Sequence, residues 1–201
     1  MASVEQVSAA RARVAAAQRR LEAELSVCDI DPQEPSRLPG WSLGHVMTHL
    51  ARNADSVVRR LEAAARGESI SQYAGGAEQR ASDIEAGARR PLALLIADIT
   101  ASDGAVERAA ELLGGEDWEV ESLGVTGEAQ SALTVLLRRE REVVLHHSDL
   151  GLGFEPRDWP TELSLELITE NLDTLPLRAG ASELAGWLAD RGPAPLLSPW
   201  T

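Results

Sequence analysis

Lysine is missing from the 201-residue chain, so all 19 basic residues are arginine, and cysteine, tyrosine and phenylalanine occur once each. A single cysteine, Cys28, excludes an internal disulfide and any metal cluster built on thiolates alone; a free cysteine near a helix end is expected to be small and inert. Aromatics make up only 3% of residues, which excludes an all-β fold, because strands draw on aromatic and β-branched side chains. No apolar run approaches the roughly 18–20 residues needed to cross a bilayer. Residues 1–18 show no apolar stretch ahead of a cleavage site, so a cytoplasmic protein without a membrane partner is expected. Acid is what the chain has in excess: 32 Asp and Glu against 19 Arg leave a formal charge of -13. Such a surface repels polyphosphate and argues against a nucleic-acid partner.

The apolar share of 44% and charged share of 25% fit a soluble globular domain with at most a small appendage. Val7, Ala10, Val14, Ala17, Leu21 and Leu25 recur at steps of three and four, which predicts a helix over 4–27. Ser42 is a fitting N-cap for a second helix, with Val46, Leu50, Val57 and Leu61 on one stripe and an end near Gly67. A short helix is expected over 77–89. A third long helix should run from Pro91 to Gly114, with Asp103-Gly104 as a possible kink. Trp118 and Val120 suggest a short strand, and a fourth long helix is predicted over 128–150. Four long amphipathic segments make a mainly α, four-helix bundle of residues 1–155. Residues 156–201 form a reduced α/β or helical appendage. Trp159, Trp187 and Trp200 there are expected mostly to pack a core.

The four histidines, His45, His49, His146 and His147, fall on just two of these helices. At roughly 100° per residue, His49 lies about 70° and His45 about 110° from the second helix's apolar stripe, so His49 is the better inward candidate. On the fourth helix Glu142 and His146 are four residues apart, a spacing at which one helix can chelate a divalent ion. Glu142, His146 and Asp149 share one side of that helix, while Glu140 and His147 form a rival set on the other. Periodicity does not choose between them.

The stretch Pro39-Gly-Trp-Ser-Leu-Gly-His-Val-Met-Thr-His49-Leu-Ala-Arg-Asn-Ala-Asp55 resembles the opening signature of the mycothiol-dependent maleylpyruvate isomerase family. That family's amino-terminal domain is a DinB-like metal-binding helical bundle. Two further blocks, Tyr73 to Pro91 around Arg80 and Arg141-Glu142-Val-Val-Leu-His146-His-Ser-Asp149-Leu-Gly-Leu-Gly153, resemble the family's loop and its metal-site helix in the same order.

The resemblance implies His49, Glu142 and His146 as metal ligands, zinc as the ion, and mycothiol as a thiol cosubstrate bound beside Arg80. It further implies that thiolate addition to the cis double bond of maleylpyruvate, rotation and elimination give the trans isomer. An anionic substrate needs cations. Arg80 is one candidate; Arg191, in a Trp187-Leu-Ala-Asp-Arg191 segment similar to a functional one in the family, is the other. Asp149 is a candidate acceptor for a ligand histidine's N–H. Two other functions use the same bundle: a mycothiol S-transferase, which joins the thiol permanently to an electrophile, and a non-catalytic metal-binding protein. A monomer or homodimer acting on small molecules is expected in each case.

Overall fold

A computed structural model describes residues 1–198, so Trp200 lies outside the described residues. The chain divides into two compact units, Met1–Pro156 and Arg157–Thr201. Helix α1 (Val4–Leu25) opens on a capping box in which Ser3 and Gln6 satisfy each other's backbone N–H groups. Its buried stripe is Ala10, Val14, Gln18, Leu21 and Leu25. Helix α2 (Leu43–Ala64) opens on a second box, here between Ser42 and His45. Next come α3 (Gly76–Gly87) and α4 (Leu92–Glu111). Strands β1 (Glu121–Leu123) and β2 (Ala129–Ser131) then form an antiparallel hairpin that leads straight into α5 (Ala132–Asp149).

Helices α1, α2, α4 and α5 make the bundle: α2 packs on α4 and α5, α1 packs on α5 and α4, and α3 lies against α2. With neighbours on three sides, α2 is buried over most of its circumference, so Thr48, His49, Asn53, Ser56 and Arg60 are interior. Gly44 and Gly87 allow α3 to approach this closely. A Cβ on Gly44 would sit 2.0 Å from the Ala88 carbonyl oxygen, and one on Gly87 would sit 2.4 Å from Thr48 Cγ2.

The core is two apolar clusters separated by one polar level to which every bundle helix contributes: Gln18 from α1, Asn53 and the Leu50 carbonyl from α2, Asp103 from α4 and Arg139 from α5. Arg139 is 0% exposed and lies 2.6 Å from Asp103. Asp103-Gly104 does not interrupt α4, which runs unbroken from Leu92 to Glu111. Asp103 is an inward anchor inside that helix.

Two other expectations are corrected. Trp118 sits buried in a 3-10 turn (Gly115–Glu119), and Val120 closes that turn, so the strand begins one residue later. The fourth long helix starts at Ala132 rather than 128, because Gly127, at φ +86, turns residues 129–131 back onto β1 and leaves Ser131 as the N-cap. The second unit is helical, with α6 (Thr161–Asn171), α7 (Leu175–Arg178) and α8 (Ala181–Leu188). Trp187 is 44% exposed there, so it is a surface residue rather than part of a core. Among the described residues, no helix is long and apolar enough to cross a membrane. Cys28 donates to the Leu25 carbonyl, and burial raises its thiol pKa, which disfavours the thiolate.

Candidate metal centre

Helices α2 and α5 lie side by side, and their facing polar residues meet where His49 is opposite Glu142 and His146. One ligand-type atom from each of the three falls within 4.8 Å of the others. His49 Nε2 donates to Glu142 Oε2 at 2.8 Å, and His146 Nε2 is 3.6 Å from the same oxygen. The two imidazole rings stand edge to face, with centroids 4.6 Å apart. Asp149 accepts from His146 Nδ1 at 2.8 Å, which fixes the ring so that Nε2 faces Glu142.

The rival pair is separated from this cluster. Glu140 and His147 are buried, but they point to α1, where Glu140 pairs with Arg13 and His147 donates to Glu24 at 2.7 Å while stacking on Phe154. His45 is also engaged elsewhere. Its Nδ1 accepts from the Ser42 N–H in the capping box, and its Nε2 donates to Glu85 at 3.0 Å.

Protonation follows from burial and partners. Burial lowers His49 to about 4, so it is neutral at pH 7. For His146, burial pulls downward, but hydrogen bonds with Asp149 and Glu142 prevail and raise it to about 9. Burial alone would raise Glu142; the bonds from His146 and His49 instead hold it well below the usual carboxylate range. The cation-free centre is thus an anion between one neutral and one charged imidazole. Two nitrogens and one carboxylate oxygen facing one point, with the outer histidine N–H held by Asp149, are a donor set that suits a divalent cation such as zinc.

Arg80 belongs to the same place. From α3 its Nη2 approaches His49 Nδ1 at 3.2 Å, and its guanidinium lies 5.9 Å from the Trp41 ring centroid. Trp41 also meets His49 edge-on at 5.6 Å. A guanidinium can only donate, so His49 Nδ1 accepts and the ring proton sits on Nε2. An imidazole that gives its Nε2 lone pair to a cation carries the proton on Nδ1 instead and no longer accepts from Arg80. A cation held at His49 Nε2 would therefore cost Arg80 this one bond.

Arg191 is exposed in the second unit, where its Nη1 donates to the carbonyls of Ala189 and Asp190. The sequence reading missed Trp41 as a neighbour of the cluster, as well as Arg60, which lines the adjoining cavity of about 320 Å³ together with His49, Arg80 and Glu142. Helical arithmetic held a signal for Arg60. It lies eleven residues after His49, and eleven steps of about 100° return to the same face.

Because His146 is protonated near neutral pH without metal, cation uptake must expel that proton. Calorimetric titration with zinc at pH 7 in buffers of different ionisation enthalpy is expected to show release of about one proton per ion, with affinity falling about tenfold per pH unit below about 9. Uptake without proton release at pH 7 would show that His146 is not a ligand.

Residues 7–151 match the family described as the mycothiol maleylpyruvate isomerase N-terminal domain. No curated protein sequence matches the chain. Among solved structures, the crystal structure of the mycothiol-dependent maleylpyruvate isomerase is similar to it, with a TM-score of 0.75 and 26% identity over 81% of this chain and 67% of that one. A histidine-to-alanine mutant of the mycothiol-dependent maleylpyruvate isomerase gives the same TM-score and coverage at 25% identity.

Proposed function

The chain belongs to the mycothiol maleylpyruvate isomerase family through its N-terminal domain, and from that membership we propose that it is a metal-dependent enzyme that uses mycothiol to interconvert the cis and trans forms of maleylpyruvate or a related unsaturated acid. The observation that carries this reading is the convergence of His49, Glu142 and His146 beside an arginine-lined cavity. When bound by these three side chains, a divalent cation such as zinc supplies a Lewis-acid position at which a thiol ionises near neutral pH.

The protein's own groups do the rest. Asp149 orients His146, and Trp41 covers one side of His49. Arg80 spends one Nη2 bond on His49, and its remaining N–H donors beside the triad take a carboxylate of the acid. Arg191 is the alternative carboxylate partner that the family resemblance puts forward. Cis–trans isomerisation requires the double bond to become a rotatable single bond and then to re-form, and a thiol that adds and leaves provides this without net consumption.

The test is an absorbance assay of metal-loaded protein with mycothiol and maleylpyruvate. Turnover is expected only with thiol and metal together. Arg80→Ala should lower kcat/KM at least about tenfold, the scale of a lost charged hydrogen bond, while zinc affinity stays the same or rises. No thiol-dependent turnover would sink the isomerase reading. Adduct accumulation without isomer turnover would assign an S-transferase instead.

A further inference from the structure

Arg60 is 3% exposed, yet among the described residues no carboxylate forms an ion pair with it, and Glu128 acts on it only at longer range. Its Nε donates to Ser122 Oγ and its Nη2 to Gln130 Oε1, both at 2.7 Å and both to neutral groups on the β1–β2 hairpin. Burying an unpaired guanidinium is costly. Nothing about bracing a hairpin requires one.

The other charges that line the cavity are accounted for. Arg139 is matched by Asp103, Arg138 lies 4.0 Å from Glu128, and Glu142 is held by His49 and His146. Among the described residues two guanidiniums of the cavity form no ion pair with a carboxylate, Arg80 at the triad and Arg60 beyond it. Arg60 starts roughly 16 Å further along α2, at 1.5 Å per residue, and helical side chains lean back toward the helix start. The gap between the two cationic ends therefore suits a short molecule rather than a polymer. In a chain of net charge -13, two unmatched cations facing one enclosed space mark an anion site. Burial lowers the Arg60 pKa only to about 10, so it is charged at pH 7.

We propose that this cavity is a dicarboxylate site in which Arg60, held by Ser122 and Gln130, binds the carboxylate remote from the triad while Arg80 binds the nearer one. The unsaturated-acid reading supplies the identity of the ligand; the anion site itself rests on Arg60. It makes the hairpin a part of substrate selection, because Ser122 and Gln130 aim the guanidinium.

The test uses the full chain stripped of metal and titrated calorimetrically with maleate, with dimethyl maleate as the neutral control. Maleate is expected to bind and the diester not to. Arg60→Lys should weaken maleate about tenfold or more, because the two-point hold of Ser122 and Gln130 on a planar fork is lost. Glu128→Gln should tighten it several-fold by removing the nearest opposing charge. In an Arg60→Lys background the same change should give little gain, whereas a merely structural Arg60 would leave the gain intact. Arg66→Ala, at an exposed arginine that pairs with Glu68 and does not line the cavity, should keep maleate affinity. Maleate binding that ignores Arg60→Lys and Glu128→Gln, or that is lost in Arg191→Ala instead, overturns the proposal. Arg60-dependent maleate binding in a protein without isomerase activity would leave the anion site standing and remove only the proposed reaction.

Discussion

Alanine at His49, Glu142 or His146 is expected to abolish tight cation binding and thiol-dependent turnover together. Loss of a hydrogen-bond partner behind a ligand costs about 10–100-fold in metal affinity; Asp149→Asn should fall in that range, and loss of a ligand itself should exceed it. The controls are built into the same two helices. His45→Ala removes half of the α2 capping box and the contact with Glu85, and His147→Ala leaves Glu24 without its buried donor. Both should lower stability while retaining one zinc per chain, because neither imidazole faces the triad. Metal content by elemental analysis, with melting temperature measured on the same samples, separates the two classes. If His147→Ala lost the ion and His146→Ala kept it, the centre would lie on the α1 side of α5 and the present assignment would be wrong.

The second large effect is on stability. Removing one partner of a buried ion pair costs about 3–5 kcal/mol, because the other is left charged in a dry interior. Asp103→Ala or Arg139→Met should therefore lower the melting temperature by roughly 6–20 °C in a protein of this size. Both groups are incompletely satisfied even now: Arg139 Nε and Asp103 Oδ2 are buried with no hydrogen-bond partner. Replacing both residues with apolar ones should consequently recover most of the loss, as the desolvation cost of the pair disappears with it. Urea denaturation of the two single variants and of Arg139→Met/Asp103→Leu provides the cycle. Single-variant losses below about 1 kcal/mol would mean that water or rearrangement already screens the pair. The double variant should still bind zinc, since the polar level braces the helices but supplies no donor to the triad.

Local chemistry wrote much of the fold into the sequence. Apolar steps of three and four marked the long helices, Ser42 marked the start of α2, and the scarcity of aromatics marked a mainly helical chain, which the structure shows. The hairpin was harder to see. Its strands span three residues each, too short for alternation to register, and β2 runs directly into α5, so its residues looked like the first turn of a helix. Asp103-Gly104 shows the opposite: a dipeptide with strong local turn preference sits inside a continuous helix, where Asp103 has two partners from other helices, Gln18 and Arg139.

By itself, the sequence determined that a metal site here is not built on thiolates alone, since there is one cysteine, and that the candidate histidines fall on two helices with donor pairs at four-residue spacing. It did not determine which side of α5 forms the centre. A helical wheel has one inside, whereas α5 has two, because it packs on α1 and on α2 at once. That double burial sends Glu140 and His147 toward Arg13 and Glu24, and Glu142 and His146 toward His49. The same reason hid Arg60 and Arg139. A long charged side chain reads as surface until the packing of several elements leaves it nowhere to face but inward.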